Sequence, residues 1–259
     1  MLKRGRPTMS RATLIRLAPW ALLLLLGGIW QMVVVGLDVP SYLFPSLSEV
    51  YRSLITDWRP IAAHSLQTLY TTLVGFALAV VVGVLLGVAV GASSLVYKAV
   101  YPLLVGFNSI PKVAFVPVLV VWFGIGTIPA IATAFLISFF PIVVNVATGL
   151  ATVEPEMEDV LRSLGASRLD ILKKVGLPRS QPYFFASLKV AITLAFVGSV
   201  ISETVASNLG IGYLMMSASS NMNMALVFAG LLVIGAMGVV MYEIFAFIEK
   251  KMTHWAHRG

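Results

Sequence analysis

The sequence has no cysteine and few charged residues. Without cysteine the chain cannot form a disulfide framework or a thiolate metal site. Charged residues make up 11% of the 259 residues and hydrophobic residues 59%, whereas soluble domains carry about a quarter charged residues. This shortage of charge indicates a bundle of membrane helices. The net charge is +7, but the basic residues lie between apolar runs. This placement is typical of charges that orient membrane helices and not of a nucleic-acid-binding surface.

Motifs for catalysis are also missing. No G-x-x-x-x-G-K-[ST] sequence is present, so the chain is not expected to hold ATP phosphates in the usual loop. It has three histidines and no H-E-x-x-H motif. His254 and His257 are three residues apart on a basic tail, where solvated side chains are expected rather than metal ligands. We therefore expect a protein that is not an enzyme and binds no metal or cofactor itself.

Long apolar stretches are abundant, and a spanning helix needs about 20 mainly apolar residues. The first stretch is interpreted as a retained span rather than a signal peptide, because no clear cleavage site follows it. The third contains Pro111 and Pro117 and is expected to be kinked or broken. Together they predict an all-α polytopic membrane protein with about six transmembrane helices. The six stretches are residues 18–37, 62–91, 100–123, 128–150, 184–205 and 225–248.

The distribution of Lys and Arg predicts the orientation of these spans. Basic residues concentrate in the N-terminal tail (1–17), the segment 151–183 and the C-terminal tail (251–259), whereas Arg52 and Arg59 lie in a loop on the other side. Short cytoplasmic loops carry the excess of positive charge in membrane proteins. Both tails and the segment 151–183 are therefore predicted to be cytoplasmic, and residues 18–250 to form one transmembrane domain.

The segment 151–183 reads as two short helices separated by Gly165. The first would be amphipathic and would end at Gly165, which tolerates the positive φ of a helix stop. Ser167 and Asp170 have capping-box spacing for the second helix, and Pro178 and Pro182 are expected to prevent its continuation into the next span. Such a pair could lie on the lipid surface or dock into a groove on a partner protein. The apolar face of the first helix comprises Met157, Val160, Leu161 and Leu164, and that of the second comprises Leu169, Leu172 and Val175. Leu161, Leu164, Leu169 and Leu172 are expected to form one apolar face of the pair.

The same segment resembles the EAA signature of ABC-importer permeases. Asp159 is followed by Gly165-Ala166 and then, at the spacing of the signature, by Val175-Gly176-Leu177-Pro178. Asp159-Val160-Leu161 stands where the signature has Glu-Ala-Ala. The stretches IPKVAFVPVLVVWFGIG (110–126) and ISETVASNLGIGYLMM (201–216) resemble the nitrate/sulfonate/taurine branch of that family. The resemblance covers about residues 60–250.

This resemblance implies a type I ABC-importer permease fold with a cytoplasmic coupling helix, in a bacterial inner membrane. It implies a second permease copy, two cytoplasmic ATPase subunits that bind ATP and Mg, and an extracytoplasmic binding protein that delivers the solute. The solute would be a small anion such as a sulfonate, taurine or nitrate, although similar permeases serve neutral and aromatic solutes. The residues implied in ATPase coupling are Asp159, Leu161, Leu164, Gly165, Ala166, Arg168, Leu169, Leu172, Leu177 and Pro178.

Ionisable residues inside spans are candidates for the translocation pathway, because a charge in lipid is costly. Lys112, beside Asn108, could attract an anionic solute or could be tied to backbone carbonyls at the kink. Glu203 could contact the solute or a structural partner such as a hydroxyl, an amide or Lys112. An ion-coupled secondary carrier is the alternative function, and Glu203 is its one serious candidate for binding a coupling ion.

Overall fold

A computed structural model describes residues 11–151 and 155–253. The outer parts of both predicted tails, with His254 and His257, lie outside the described residues. Every regular element within these ranges is helical, which confirms the predicted all-α class. The elements are α1 (Arg11–Gly36), α2 (Leu47–Thr56), α3 (Trp58–Gly91), α4 (Ser94–Asn108), a 3₁₀ turn (Lys112–Phe115), α5 (Val116–Phe123), α6 (Thr127–Ala151), α7 (Pro155–Ser163), α8 (Arg168–Ile171), a π turn (Leu172–Gly176), α9 (Leu177–Ala206), α10 (Ile211–Ser220) and α11 (Met224–Met252).

The predicted number of spans is confirmed. Five helical stretches of the described chain are long and apolar enough to cross a membrane, and a sixth span results if α4 and the helix after it count as one. That pair, Leu95–Asn108 and Lys112–Phe123, is bent by 72°. The bend lies at Pro111, as predicted, because proline lacks the N–H group that would continue the helix. A break at membrane depth is tolerated where protein or water covers its backbone polar groups.

The chain divides into two compact units. The smaller comprises the chain up to Trp58 together with Ala218–Ala229. In it, α2 begins with a capping box: Ser46 N–H donates to Glu49 at 2.7 Å, and Glu49 N–H donates to Ser46 Oγ at 3.3 Å. The indole of Trp30 donates to the carbonyl of Pro45 at 3.0 Å. These contacts join α1 to the start of α2.

The larger unit, Arg59–Ser217 with the chain from Gly230 onward, contains a core formed by α3, α6, α9 and α11. Glycines on α3 allow α6 to approach closely, as their four-residue spacing predicts. A Cβ atom at Gly83 would lie 2.9 Å from the Cβ of Ile142, and one at Gly87 would lie 2.7 Å from the Cβ of Val146. No side chain fits at either position, so the α3 backbone packs directly against side chains of α6.

The predicted stop at Pro178 and Pro182 is wrong. α8, the π turn and α9 follow one another without a gap, so the chain is helical from Arg168 to Ala206. At the π turn, Leu177 N–H donates to the carbonyl of Leu172 five residues earlier, which shifts the hydrogen-bond register by one residue. Pro178 follows this turn as the second residue of α9, so its missing N–H falls where the hydrogen-bond register changes. The segment 151–183 therefore continues directly into the fifth span.

Candidate functional site

A helix–glycine–helix turn is present where the sequence predicts it. Gly165 has φ +85°, a conformation that glycine adopts without strain. Ala166 N–H donates to the carbonyl of Leu161 at 3.0 Å, and Gly165 N–H donates to that of Arg162 at 2.9 Å. These two bonds satisfy carbonyls at the end of α7, in the manner of a Schellman motif. Nothing lies within 4 Å of a Cβ built at Gly165, so the turn is exposed at this point.

The predicted capping box at α8 is also present. Asp170 N–H donates to Ser167 Oγ at 3.2 Å, and Ser167 N–H donates back to Asp170 Oδ2 at 3.2 Å. The hydroxyl of Ser167 donates to the same carboxylate oxygen at 2.5 Å. Because Ser167 follows Gly165 by two residues, the box starts α8 directly after the turn and fixes the geometry of the joint.

The apolar side chains of this segment divide into two groups. Leu164 is 78% exposed, Leu169 64% and Val160 59%, whereas Leu161 is half-buried. Leu172 packs against the core of the larger unit. The interpretation of Leu161, Leu164, Leu169 and Leu172 as one apolar face is therefore wrong, because the helical path through the π turn directs Leu172 toward the core. Val160 and Leu164, predicted on one face of the first helix, are both exposed.

The other predicted coupling residues lie on the same element. The structure brings all ten together along α7, the glycine turn, α8, the π turn and the start of α9. Asp159, Gly165 and Leu177 are exposed, whereas Ala166 and Pro178 are half-buried. Arg168 begins α8, and its side chain lies outside the described residues.

Asn108 and Lys112 lie together at the break between α4 and α5. The ammonium of Lys112 donates to the backbone carbonyl of Asn108 at 2.7 Å and to its side-chain oxygen at 2.5 Å. The same Nζ lies 6.0 Å from the ring centroid of Phe107 and 5.5 Å from that of Phe140. Lys112 is half-buried and Asn108 is exposed. The lysine is thus tied to a carbonyl at the kink, between two aromatic rings.

Glu203 lies in a separate, buried polar cluster. Its side chain is 1% exposed. Oε2 accepts from the hydroxyl of Thr68 at 2.7 Å and from the N–H of Gly212 at 3.3 Å, and Oε1 accepts from the hydroxyl of Thr71 at 3.2 Å. Of the partners considered for Glu203, the structure provides hydroxyls and an amide. These bonds join α3 and α9 to the start of α10.

The sequence reasoning missed the α3 members of this cluster. His64 Nδ1 accepts from the N–H of Gly210 at 3.1 Å, and Thr68 Oγ1 accepts from the N–H of Ile211 at 2.8 Å. His64, Thr68 and Thr71 recur at i, i+4 and i+7, so they share one face of α3. That spacing was the available signal, but the polar start of the span suggested only an amphipathic segment.

Comparison with known proteins identifies the family. Residues 79–254 match the family described as "Binding-protein-dependent transport system inner membrane component". A probable ABC transporter permease protein of Haemophilus influenzae is 33% identical over 214 residues, 83% of this chain and 87% of the relative. A formylaminopyrimidine transport permease protein of Halalkalibacterium halodurans is 30% identical over 240 residues, 92% of this chain and 96% of the relative.

More distant relatives include permease proteins named for nitrate import, riboflavin transport, aliphatic sulfonate transport and taurine transport, at 26 to 29% identity. The fold is similar to that of a solved structure of a methionine ABC transporter in an inward-facing conformation. The TM-score is 0.61 at 19% sequence identity, over 80% of this chain and 98% of that one.

The family match covers more than half of the chain, and the fold of the described residues agrees with the fold that the resemblance implies. The predicted resemblance to ABC-importer permeases of the nitrate, sulfonate and taurine branch is confirmed. The chain is a multi-pass membrane protein that belongs to the family of binding-protein-dependent transport system inner membrane components, the permease subunits of ABC importers.

Proposed function

We propose that the chain forms the translocation pathway of an ATP-driven importer for a small anion such as nitrate, a sulfonate or taurine. An extracytoplasmic binding protein delivers the solute, and two cytoplasmic ATPase subunits bind ATP and Mg. Within this chain no cofactor is required. The observation that carries the proposal is the helix–glycine–helix turn with exposed Val160, Leu164 and Leu169, whose second helix continues without a gap into a membrane span.

The exposed apolar side chains of that turn suit a partner protein. Leu164 and Leu169 flank Gly165, and the capping box at Ser167 holds the second short helix in place behind it. Large exposed apolar residues at a rigid turn favour insertion into a groove of another protein. The ATPase subunit is the partner that the family requires, because the chain has no phosphate-binding loop of its own.

The break at Pro111 supports a second copy of the chain as the other partner. Asn108, Ser109 and Ile110 are exposed at this break, and the bend leaves backbone groups of the span without a continuous helix. In a membrane such groups must face protein or water rather than lipid. A homodimer with a water-filled pathway between the two copies satisfies both requirements and places the break beside the solute.

The charge of Lys112 favours an anion as the solute. It is a positively charged group at a broken span, where polar groups of transporters commonly meet their solutes. A neutral aromatic solute is the second candidate, because the exposed ring of Phe107 and the ring of Phe140 flank the same ammonium. Relatives named for formylaminopyrimidine and riboflavin transport make that candidate specific enough to test.

The orientation follows from the basic residues. Lys173 and Lys174 on the π turn, Lys250 and Lys251 at the end of α11, and the basic N-terminal tail all belong on the cytoplasmic side of a bacterial inner membrane. With this orientation, the helix–glycine–helix turn faces the cytoplasmic ATPases and the Glu203 end of α9 lies toward the outer side.

Reconstitution tests the proposal. The chain is coexpressed with ATPase and binding-protein subunits from the same genome, and the purified complex is placed in liposomes. We expect uptake of labelled nitrate or taurine that requires both ATP and the binding protein, and no uptake with an ATPase that cannot hydrolyse ATP. ATP-dependent uptake of riboflavin instead would select the aromatic solute. Uptake driven by a proton or sodium gradient without the ATPase would contradict the importer and select the secondary carrier.

A further inference from the structure

One helical path joins the proposed ATPase-docking turn to the Glu203 cluster. α8, the π turn and α9 run without interruption from Arg168 to Ala206. Leu169, exposed beside the turn, and Glu203, buried near the far end, are separated by 34 residues of this path. At 1.5 Å per residue, the separation along the axis is roughly 50 Å, which exceeds the thickness of the hydrocarbon core of a membrane. The two sites therefore lie at opposite ends of one element.

At the far end, side chains of α3 and α9 bind three successive amides at the start of α10. Gly210 N–H donates to His64, Ile211 N–H to Thr68 and Gly212 N–H to Glu203. The first N–H groups of a helix have no partner within the helix. Here their partners come from two other helices, so the position of α10 depends on both. We call Glu203, Thr68, Thr71 and His64 the α10 clasp.

The backbone at the start of α10 is shaped to this clasp. Gly210 has φ +100°, and a Cβ atom there would collide with the carboxyl group of Glu203. A Cβ atom at Gly212 would lie 2.6 Å from the carbonyl oxygen of Val200 on α9. Ile211 is fully buried between these glycines. The start of α10 is therefore packed closely against α9. Asn208 and Leu209 in the preceding loop are exposed.

Resting on the proposed function, we propose that Glu203 is a positioning residue for transport. It attaches α10 to the outer end of α9. Movement that the ATPase imposes at the cytoplasmic turn then also moves α10. The carboxylate has three donors and almost no exposure to solvent. Separating α10 from α9 would remove the Gly212 donor from a buried carboxyl oxygen, which is unfavourable. Glu203 also binds Thr68 and Thr71, so α10 and the α3 residues that hold it follow α9 together.

The absence of cysteine makes this movement measurable. A single cysteine in place of Leu209, which is 44% exposed, reports the access of a membrane-impermeant maleimide to the loop before α10. The complete complex in liposomes is labelled without nucleotide and with ATP trapped by vanadate. With Glu203 present, we expect the labelling rate to differ at least fivefold between the two states.

Variants of the α10 clasp distinguish a role of Glu203 in moving α10 from a role in the stability of the fold alone. Glu203→Ala should reduce the nucleotide dependence of labelling to less than twofold and abolish uptake while ATP hydrolysis continues. Glu203→Gln keeps an oxygen acceptor for Thr68 and Gly212 and should recover most of the difference. Thr68→Val, which conserves shape, is the second variant should Glu203→Ala fail to assemble, and it should also lose the difference. Glu243→Gln is the matched control, since it removes an exposed carboxylate of α11 outside the clasp.

Three results would overturn the inference: no nucleotide dependence of labelling in the chain with Glu203, an unchanged dependence in Glu203→Ala or Thr68→Val, or an equal loss in Glu243→Gln. These results are distinguishable from failure of the proposed function. If ATP drives no uptake by the complex with Glu203 intact, the importer assignment fails first. If ATP drives uptake but the nucleotide dependence of labelling is the same in the clasp variants, only the proposed role of Glu203 is wrong.

Discussion

Leu164→Ala should weaken binding of the ATPase subunit to this chain about 30-fold. The leucine is 78% exposed beside the Gly165 turn, so a partner that covers it gains nearly the whole side chain. Truncation to alanine removes three carbon groups, each contributing about 0.8 kcal/mol when buried. Scaled by the present exposure, the loss is about 2 kcal/mol, which corresponds to a factor of roughly 30 in Kd. Because the side chain contributes little to the isolated chain, its melting temperature should not change.

The dissociation constant is measured with detergent-solubilised permease and purified ATPase, together with a thermal unfolding curve of the permease alone. Lys173→Ala is the matched control, because Lys173 is an exposed charge on the same element, and exposed charge pairs contribute only about 0–1 kcal/mol. A Kd for Leu164→Ala within threefold of the original value would refute the docking role of the turn. A larger effect from Lys173→Ala would show that charge rather than apolar burial holds the partner.

Three further predictions concern the turn, the helix packing and the pathway. Gly165→Ala places a side chain at φ +85°, which costs about 1–2 kcal/mol, so it should lower the uptake per ATP hydrolysed; an unchanged ratio would contradict the coupling role. Gly87→Val should destabilise the chain by about 1–3 kcal/mol through overpacking against Val146, seen as a lower melting temperature, whereas Gly106→Ala, with nothing within 4 Å, should not. Lys112→Ala should reduce anion uptake several-fold with assembly intact; unaltered uptake would make the lysine purely structural.

Features set by local sequence could be predicted well. The break was predicted from Pro111 and its missing N–H, whereas the same rule failed at Pro178 and Pro182, which lie within α9. The turn follows from Gly165, and the capping box from Ser167 and Asp170, because each needs only neighbours within three residues. The spans follow from apolar length alone. All of these signals are independent of the rest of the fold.

Features set by distant contacts could not be predicted. Glu203 and its partner Thr68 are 135 residues apart in the chain, so no local pattern pairs them. The continuity of the helix past Pro178 depends on a π turn, which changes the hydrogen-bond register without a distinctive composition. Leu172 was assigned to the exposed face because the spacing was counted for an ordinary helix, whereas the turn directs it into the core.

The hydrogen bonds of Lys112 have a consequence for affinity along the proposed pathway. Its ammonium binds the last residue of α4, where the helix dipole presents partial negative charge. Much of the lysine charge is therefore already compensated. Two of the three ammonium protons are donated to oxygen atoms of Asn108, so an anion that reaches this point finds one remaining donor and is held less tightly than by a free ammonium. A translocation pathway must also release the solute that it binds. Because the Lys112 ammonium is already bound to the end of its own helix, an anion can leave it, whereas an uncompensated charge would bind the anion too tightly.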